Sequence, residues 1–279
     1  AAGVLFWGPA EPIAHYMSPP TELTGIEPMT NEAMKFSMET MFLHWTIVPY
    51  AIYTVPAVVF GFMYYNAKRP FSIASEMAPV LGKYSTRPLT MKIIDAITLF
   101  SIGAGMAGSV AQGFLNISGG VSNILGIPSE PGLWLIVAIV TGVAVVFTSI
   151  SGIQKAMKHV SNINVYGYIV FLVFLLVFSN APFLLNLATE AMGGFIDGFF
   201  DKILLTGASA DSQWPQWWTT FYWFSWMAWA PTSGAFMGRI AYGRKVKHVL
   251  GLYIGVCAAV SAIWMTLVSG TALWTQKSG

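Results

Sequence analysis

Long uncharged stretches dominate the chain. Each is long enough for the ~20 residues that cross a bilayer. The stretches are residues 40–67 (apart from His44), 96–129, 131–154, 160–189, 212–238 and 249–276. Residues 1–10 are already apolar and read as the end of another span. The pattern predicts an all-α, polytopic helical membrane protein with six full spans in one transmembrane domain, 1–279, and a fragment of a longer protein.

Composition and charge placement support this interpretation. The chain is 55% hydrophobic and only 9% charged, against about 25% charged residues in ordinary soluble domains. Most Lys and Arg residues fall in three connections around 68–92, 155–158 and 239–247, which the positive-inside rule places in the cytoplasm. Most acids fall in the alternate connections. We therefore expect a multi-pass protein of the inner (plasma) membrane. Two roles remain open for Arg239 and Arg244: they set the membrane topology, or they act in gating or lipid binding.

One outer connection has a helical pattern of its own. In "EAMGGFIDGFFDKILL", which starts at Glu190, apolar residues recur at helical spacing and most charged residues occupy the other side. The pattern over 190–204 predicts an amphipathic helix in the outer membrane interface. A short extracellular helix packed on the spans fits the same pattern, and both interpretations remain open.

The motifs of soluble enzymes are missing. The sequence contains no phosphate-binding Gly loop, no Gly-x-Ser-x-Gly elbow and no metal-spaced His or Cys cluster. We interpret His44 as a hydrogen-bonded packing residue, His15 as a loop residue, Glu11 as part of an outward-facing acidic segment, and Asp95 as a helix start. The sequence therefore predicts no enzyme, metal, cofactor or nucleic-acid partner, and no proton relay within the membrane.

Tryptophan is concentrated in "FYWFSWMAWAPTSG". Trp218, just before this stretch, suits the aromatic belt at a membrane surface. Trp229 lies eleven residues later, roughly 16 Å along a helix and half of a ~30 Å hydrocarbon core. Because indole N–H groups find no water at that depth, we expect Trp223, Trp226 and Trp229 to line a cavity. The Pro and Gly of 230–234 predict a broken helix at a binding site.

A second aromatic group lies in "HWTIVPYAIYTVP". Trp45, Tyr50 and Tyr53 share one broad face of a helix. Two aromatic spans that face each other could form a cage for a quaternary ammonium ion, to which each ring contributes roughly 0.5–2 kcal/mol. Packing aromatics would give the same pattern, and the residues alone leave the two interpretations open.

Several motifs together resemble one family, the betaine/carnitine/choline transporters. They are "GPAEP", "HWTIVPYAIYTVPA", "SISGIQKAMKHVSNIN" and "WTTFYWFSWMAWAP" followed by "GRIAYGRKVK". The resemblance covers the whole chain. It implies a twelve-span protein with a five-plus-five inverted repeat like that of the leucine transporter, of which the chain holds the end of the third span to the ninth. It also implies a homotrimer.

The resemblance assigns site residues by position. Four aromatic residues would surround the onium head of the substrate: Trp45, Tyr50, Tyr53 and Trp226. Trp229 and the backbone at Gly3 would contact the substrate's carboxylate. Trp218 and Phe221 would line the outer vestibule and gate.

Two departures bear on the substrate. Tyr50 and Ser225 stand where the best-matched relatives have Trp, so the cage is smaller and more polar than the family pattern. Betaine, carnitine, choline and dimethylsulfoniopropionate all remain candidate substrates for a secondary transporter, and an osmolyte sensor without transport is the alternative function. Ile102 and Met106 replace two Thr residues of a sodium site, which leaves sodium symport, proton symport and substrate exchange open.

Overall fold

The structure, a computed structural model, describes residues 2–150 and 153–279, and their regular elements are helices with no strand. The predicted all-α class is confirmed. The α-helices of the described residues are α1 (Ala2–Met17), α2 (Thr21–Thr24), α3 (Asn31–Trp45), α4 (Ile47–Gly61), α5 (Ile73–Glu76), α6 (Ala78–Leu81), α7 (Pro88–Leu125), α8 (Pro131–Ile150), α9 (Ile153–Phe178), α10 (Ala181–Asp197), α11 (Phe199–Ile203), α12 (Phe221–Ile240), α13 (Val246–Leu250) and α14 (Ala258–Ser278). Part of the motif at 149–164 and the end of the predicted span 131–154 lie outside the described residues.

Four helical stretches of the described residues are long and apolar enough to cross a membrane: Asn31–Asn66, Pro88–Leu125, His159–Phe178 and Val246–Ser278. Pro131–Phe147 is a shorter apolar helix. The first and last stretches include the π-helical segments Phe62–Asn66 and Gly251–Cys257. The remaining predicted span, 212–238, corresponds to the π-helical Gln216–Thr220 and α12. The polytopic membrane character is therefore confirmed.

The boundary between the fourth predicted span and the amphipathic segment is wrong. Helix α9 ends at Phe178, and α10 begins at Ala181 with Pro182 in its first turn, where a missing N–H costs nothing. One face of α10 is buried, including Leu184, Leu187 and Phe195. Beside it an apolar set is largely exposed: Ile196, Phe200 and Leu204. The packed face fits the extracellular-helix interpretation, and the exposed set fits the interfacial one.

The chain forms two compact units, each described by itself. One contains the described residues of 2–7 and 105–181, in which α8 packs on α9. The other contains 8–104 and 182–279, in which α4 packs along α12 and α3 packs against α14. Gly3 belongs to the first unit, and the other predicted site residues belong to the second. The single transmembrane domain stays a prediction.

Helix α12 is not broken, so the predicted helix break is wrong. It continues from Phe221 to Ile240 through Pro231. The small residues instead permit close packing: a Cβ on Gly234 would lie 2.7 Å from Pro56 Cβ, inside ordinary contact distance. A missing N–H at one proline removes one backbone hydrogen bond, and α12 continues through Pro231 without it.

Candidate functional site

Three of the four predicted cage residues meet in the structure. Trp45 ends α3, Tyr53 lies on α4 and Trp226 lies on α12. The ring centroids of Trp45 and Trp226 are 5.1 Å apart at 74°, and those of Tyr53 and Trp226 are 6.3 Å apart at 83°. These are edge-to-face contacts, which the ring quadrupoles favour.

Tyr222 is a fourth member that the sequence interpretation missed. Its ring is stacked on Trp226, one helical turn away, at 5.7 Å and lies 5.2 Å from Trp45. The spacing of four residues between Tyr222 and Trp226 was a signal that could have found it. We call Trp45, Tyr53, Tyr222 and Trp226 the aromatic group.

The other predicted substrate-binding residues lie on α4, α12 and α1. Tyr50 is on α4, and its hydroxyl is 2.7 Å from Ser261 Oγ on α14. Trp229 is partly buried on α12, one turn beyond Trp226. Gly3 lies on α1 in the other compact unit.

The two predicted gate residues occupy different environments. The Trp218 ring packs on the His15 ring at 4.4 Å, with an angle of 65°. Phe221 is 52% exposed, and its ring lies 5.7 Å from Tyr222. Trp223, which was predicted to face a cavity, lines an apolar pocket of about 340 Å³ together with residues of α4 and α11.

Glu11 forms the polar centre of the site. It is fully buried on α1, and its place on the outer side of the membrane stays a prediction. Its Oε2 accepts hydrogen bonds from Trp45 Nε1 at 2.7 Å and from the Tyr222 hydroxyl at 2.6 Å. Burial of a carboxylate requires such partners, and here two of them are members of the aromatic group.

Two histidines contact the other carboxylate oxygen. His44 Nδ1 is 2.6 Å and His15 Nε2 is 3.4 Å from Glu11 Oε1, and both histidines are fully buried. His44 Nε2 is 3.0 Å from Thr219 Oγ1. His44 is therefore a hydrogen-bonded packing residue as predicted, whereas His15 lies in helix α1 and not in a loop.

The carboxylate and the histidines are arranged for hydrogen bonding. Ligand-type atoms of Glu11, His15 and His44 lie within 4.8 Å of one another, a group that the spacing of His in the sequence did not reveal. Two ligands of a tetrahedral zinc ion with bonds of about 2.0 Å would be about 3.3 Å apart. Because the Glu11–His44 contact is only 2.6 Å, it has the length of a charge-assisted hydrogen bond. We call these three residues and Thr219 the Glu11 cluster.

The Glu11 cluster and the aromatic group are bonded to each other at several points. Besides the bonds from Trp45 and Tyr222 to Glu11, Trp226 Nε1 donates to the backbone oxygen of His44 at 3.1 Å. Helices α1, α3 and α12 therefore share one buried polar centre. A displacement of either indole would change the hydrogen bonds of the cluster.

The basic residues lie at the far ends of α4 and α12. The Arg239 guanidinium lies 5.4 Å from the centroid of the Phe71 ring, and the Arg239 carbonyl accepts a 2.8 Å bond from the Tyr65 hydroxyl. Arg244 and Lys245 line a cavity of about 600 Å³ beside the end of α4. Their topological and gating roles both stay predictions.

Comparisons with known proteins agree with the predicted family. The sequence model of the BCCT family, described as betaine/carnitine/choline family transporter, matches residues 1–279. A probable glycine betaine transporter of Desulfitobacterium hafniense (strain Y51) is 33% identical over 273 residues, which cover 97% of this chain and 53% of that protein. An ectoine/hydroxyectoine transporter of Virgibacillus pantothenticus is 28% identical, covering 99% and 54%. An osmo-dependent choline transporter of Acinetobacter baylyi (strain ATCC 33305 / BD413 / ADP1) is 27% identical, covering 97% and 39%. The chain spans about half the length of most of the curated relatives that it matches.

Proposed function

Because the chain belongs to the betaine/carnitine/choline transporter family, we propose that the complete protein is a secondary transporter of an onium osmolyte or nutrient in the inner membrane. Transport proceeds by alternating access, in which binding sites near the midplane open to each side in turn. The observation that carries the proposal is the aromatic group, which gathers rings from α3, α4 and α12 within the second compact unit.

The hydrogen bonding of the indoles favours an onium ligand. The Trp45 and Trp226 N–H groups both donate to protein oxygens. A ligand that binds at these rings would therefore contact their π-faces and not their N–H groups. A quaternary ammonium or sulfonium ion has no N–H to donate and binds to such faces through the ring quadrupole. A primary ammonium ion, in contrast, would lose hydrogen bonds to water without replacement.

Several ligands share this chemistry. Glycine betaine, carnitine, choline and dimethylsulfoniopropionate each carry an onium head, and relatives are named as transporters of glycine betaine, choline and ectoine. Ectoine carries a delocalised ring cation, which a set of aromatic faces also accommodates. In the proposal Tyr50 completes the cage, Trp229 binds the carboxylate, and Trp218 and Phe221 form the outer gate. The complete protein is a homotrimer in this proposal.

A pair of isosteric ligands tests the cage. Glycine betaine and 3,3-dimethylbutanoate have the same shape and carboxylate and differ in the charge of the head. Isothermal titration of the complete protein in detergent should show tighter binding of betaine. Choline and 3,3-dimethylbutan-1-ol form a second pair. Equal affinities within both pairs would refute the aromatic cage.

Substitutions of Trp226 then locate the cation. Trp226→Leu keeps apolar bulk but removes the π-face, and we expect a loss of about 1–2 kcal/mol, or 5- to 30-fold in Kd for the onium ligand. Trp226→Phe should cost less. Trp217→Leu is the matched control, because Trp217 is 69% exposed and precedes α12. An unchanged Kd in folded Trp226→Leu would contradict the assignment.

A further inference from the structure

A cavity of about 600 Å³ lies between the end of α4 and the beginning of α13, and none of the proposed substrate-binding residues lines it. Its lining residues come from three stretches of the second compact unit: residues 57–61 of α4, the π-helical segment Phe62–Asn66, and residues 241–249. The positive-inside rule predicts that this end of the helices faces the cytoplasm. We call it the basic cavity, because Arg244 and Lys245 are among its lining residues.

The basic cavity combines two cations with no acid. Its lining residues in the described part of the chain include Arg244 and Lys245 but neither Asp nor Glu. Both basic side chains are exposed, and among the described residues neither forms an ion pair. Two neighbouring cations in a concave site attract an anion and offer several N–H donors to its oxygens. The charge therefore favours an anionic ligand.

The backbone that carries the two cations is held against α4. Between α12 and α13 the Arg244 N–H donates to the Ala241 carbonyl oxygen at 3.0 Å. Gly243 adopts a φ of 72° in the same turn, a conformation that favours glycine. The helix that follows is anchored by Val249, which is buried in one cluster with Ala57 of α4. Buried contacts therefore fix the turn that places the cations beside the cavity.

The remaining walls are largely apolar. Val58 and Val249 line the cavity, and so do Phe62 and Val246, which are 58% and 53% exposed. A free phosphate ion would pair with the cations and leave these exposed side chains in water. The glycerol and acyl carbons of a lipid would cover them, which removes apolar surface from water. Two cations beside apolar walls therefore fit an amphiphile better than a small anion.

We propose that the basic cavity binds the phosphate of an anionic phospholipid from the cytoplasmic leaflet. Arg244 and Lys245 donate hydrogen bonds to the phosphate oxygens, with the guanidinium suited to a bidentate contact. Phe62 and Val246 contact the apolar part of the lipid. Basic pockets between transmembrane helices on the cytoplasmic side bind such headgroups in other membrane proteins. The site is separate from the aromatic group and does not depend on the proposed transport function.

Native mass spectrometry of the complete protein in mild detergent measures this binding directly. Phosphatidylglycerol and phosphatidylethanolamine with identical acyl chains share the apolar part and the phosphate, but only phosphatidylglycerol has a net negative charge at neutral pH. The parent protein should bind phosphatidylglycerol at least about fivefold more tightly. Equal affinities for the two lipids would overturn the proposal. Because no transport is measured, neither result bears on the proposed function.

Substitutions then locate the lipid. Arg244→Gln and Lys245→Gln each remove one charge, and each should weaken the binding of phosphatidylglycerol about fivefold, or about 25-fold together. Lys247→Gln is the matched control, because it removes the same charge from α13 at a residue that does not line the cavity. It should bind the lipid within about twofold of the parent. An equal loss in Lys247→Gln and Arg244→Gln would overturn the site, since attraction to the net charge would then explain the binding.

Soluble anions distinguish the lipid from free phosphate. Inorganic phosphate and glycerol 1-phosphate are added at millimolar concentration to the complete protein loaded with phosphatidylglycerol. We expect neither to displace the lipid, because neither covers the exposed Phe62 and Val246 side chains. Displacement by either anion would overturn the assignment to a lipid. If the double variant does not fold, the comparison of the two lipids on the parent and this competition still decide the question.

Discussion

The crossing of α4 and α12 is held at a distance that only glycine permits. A Cβ built on Gly238 would lie 2.8 Å from the carbonyl oxygen of Ala57. It would also lie 3.1 Å from Gly61 N. Both neighbours are backbone atoms of α4, so no side chain can rotate away to make room. Gly238→Ala must therefore separate the two helices.

The expected cost follows from two opposing terms. Overpacking of a close contact typically costs about 1–3 kcal/mol. Alanine recovers about 0.5–1 kcal/mol relative to glycine within a helix. The net destabilisation is then about 1–2 kcal/mol. The separation also strains the contacts of Trp226, because it lies on α12 together with Gly238.

The measurement is the apparent Tm of the complete protein in detergent at one fixed heating rate, since unfolding of such proteins is often irreversible. Gly238→Ala should lower the Tm by a few degrees. Gly193→Ala is the matched control, because Gly193 lies within α10 and nothing lies within 4 Å of an added Cβ. That variant should be as stable as the parent or more stable. A Tm for Gly238→Ala equal to that of Gly193→Ala would refute the close-packing argument.

Two further predictions concern the titration of Glu76 and the oligomeric state. Burial raises the pKa of Glu76, between α4 and α7, to about 8. The folded protein then binds a proton that the unfolded chain releases near pH 4.5, so this contribution to stability is complete below that pH and is lost as the pH rises through 8. The Tm of the parent should fall more between pH 6 and 9 than that of Glu76→Gln, and equal falls would contradict the prediction. Native mass spectrometry in mild detergent should show a homotrimer, whereas a monomer alone would exclude it.

The spans could be predicted because their signal is local. Length and lack of charge are read within about 20 residues, and five of the six windows match apolar helices. The positions where the helices end are harder to predict, because charge and hydropathy do not always mark them. The stretch 160–189 has no charge at Ser179–Asn180 to mark the end of α9. The Pro and Gly of α12 predict a break from sequence because their partner surface on α4 lies some 170–180 residues away, outside any local pattern.

The aromatic part of the site was accessible to sequence reasoning for a similar reason. Rings at helical spacing mark one face, and the structure brings Trp45, Tyr53 and Trp226 together. Whether they enclose a cation stays a prediction. Tyr50 shows what helical spacing cannot predict. The helix face on which Tyr50 lies gives no indication that its hydroxyl reaches Ser261 on α14.

Glu11 shows why polar centres escape this reasoning. An acid beside two prolines in an acidic segment has every local feature of an exposed loop residue. Its burial depends on donors that are 33, 34 and 211 residues away, on His44, Trp45 and Tyr222. No donor alone would compensate for the loss of water around a carboxylate, so the three must arrive together when α3 and α12 pack on α1. The same requirement makes the centre sensitive to the positions of those helices.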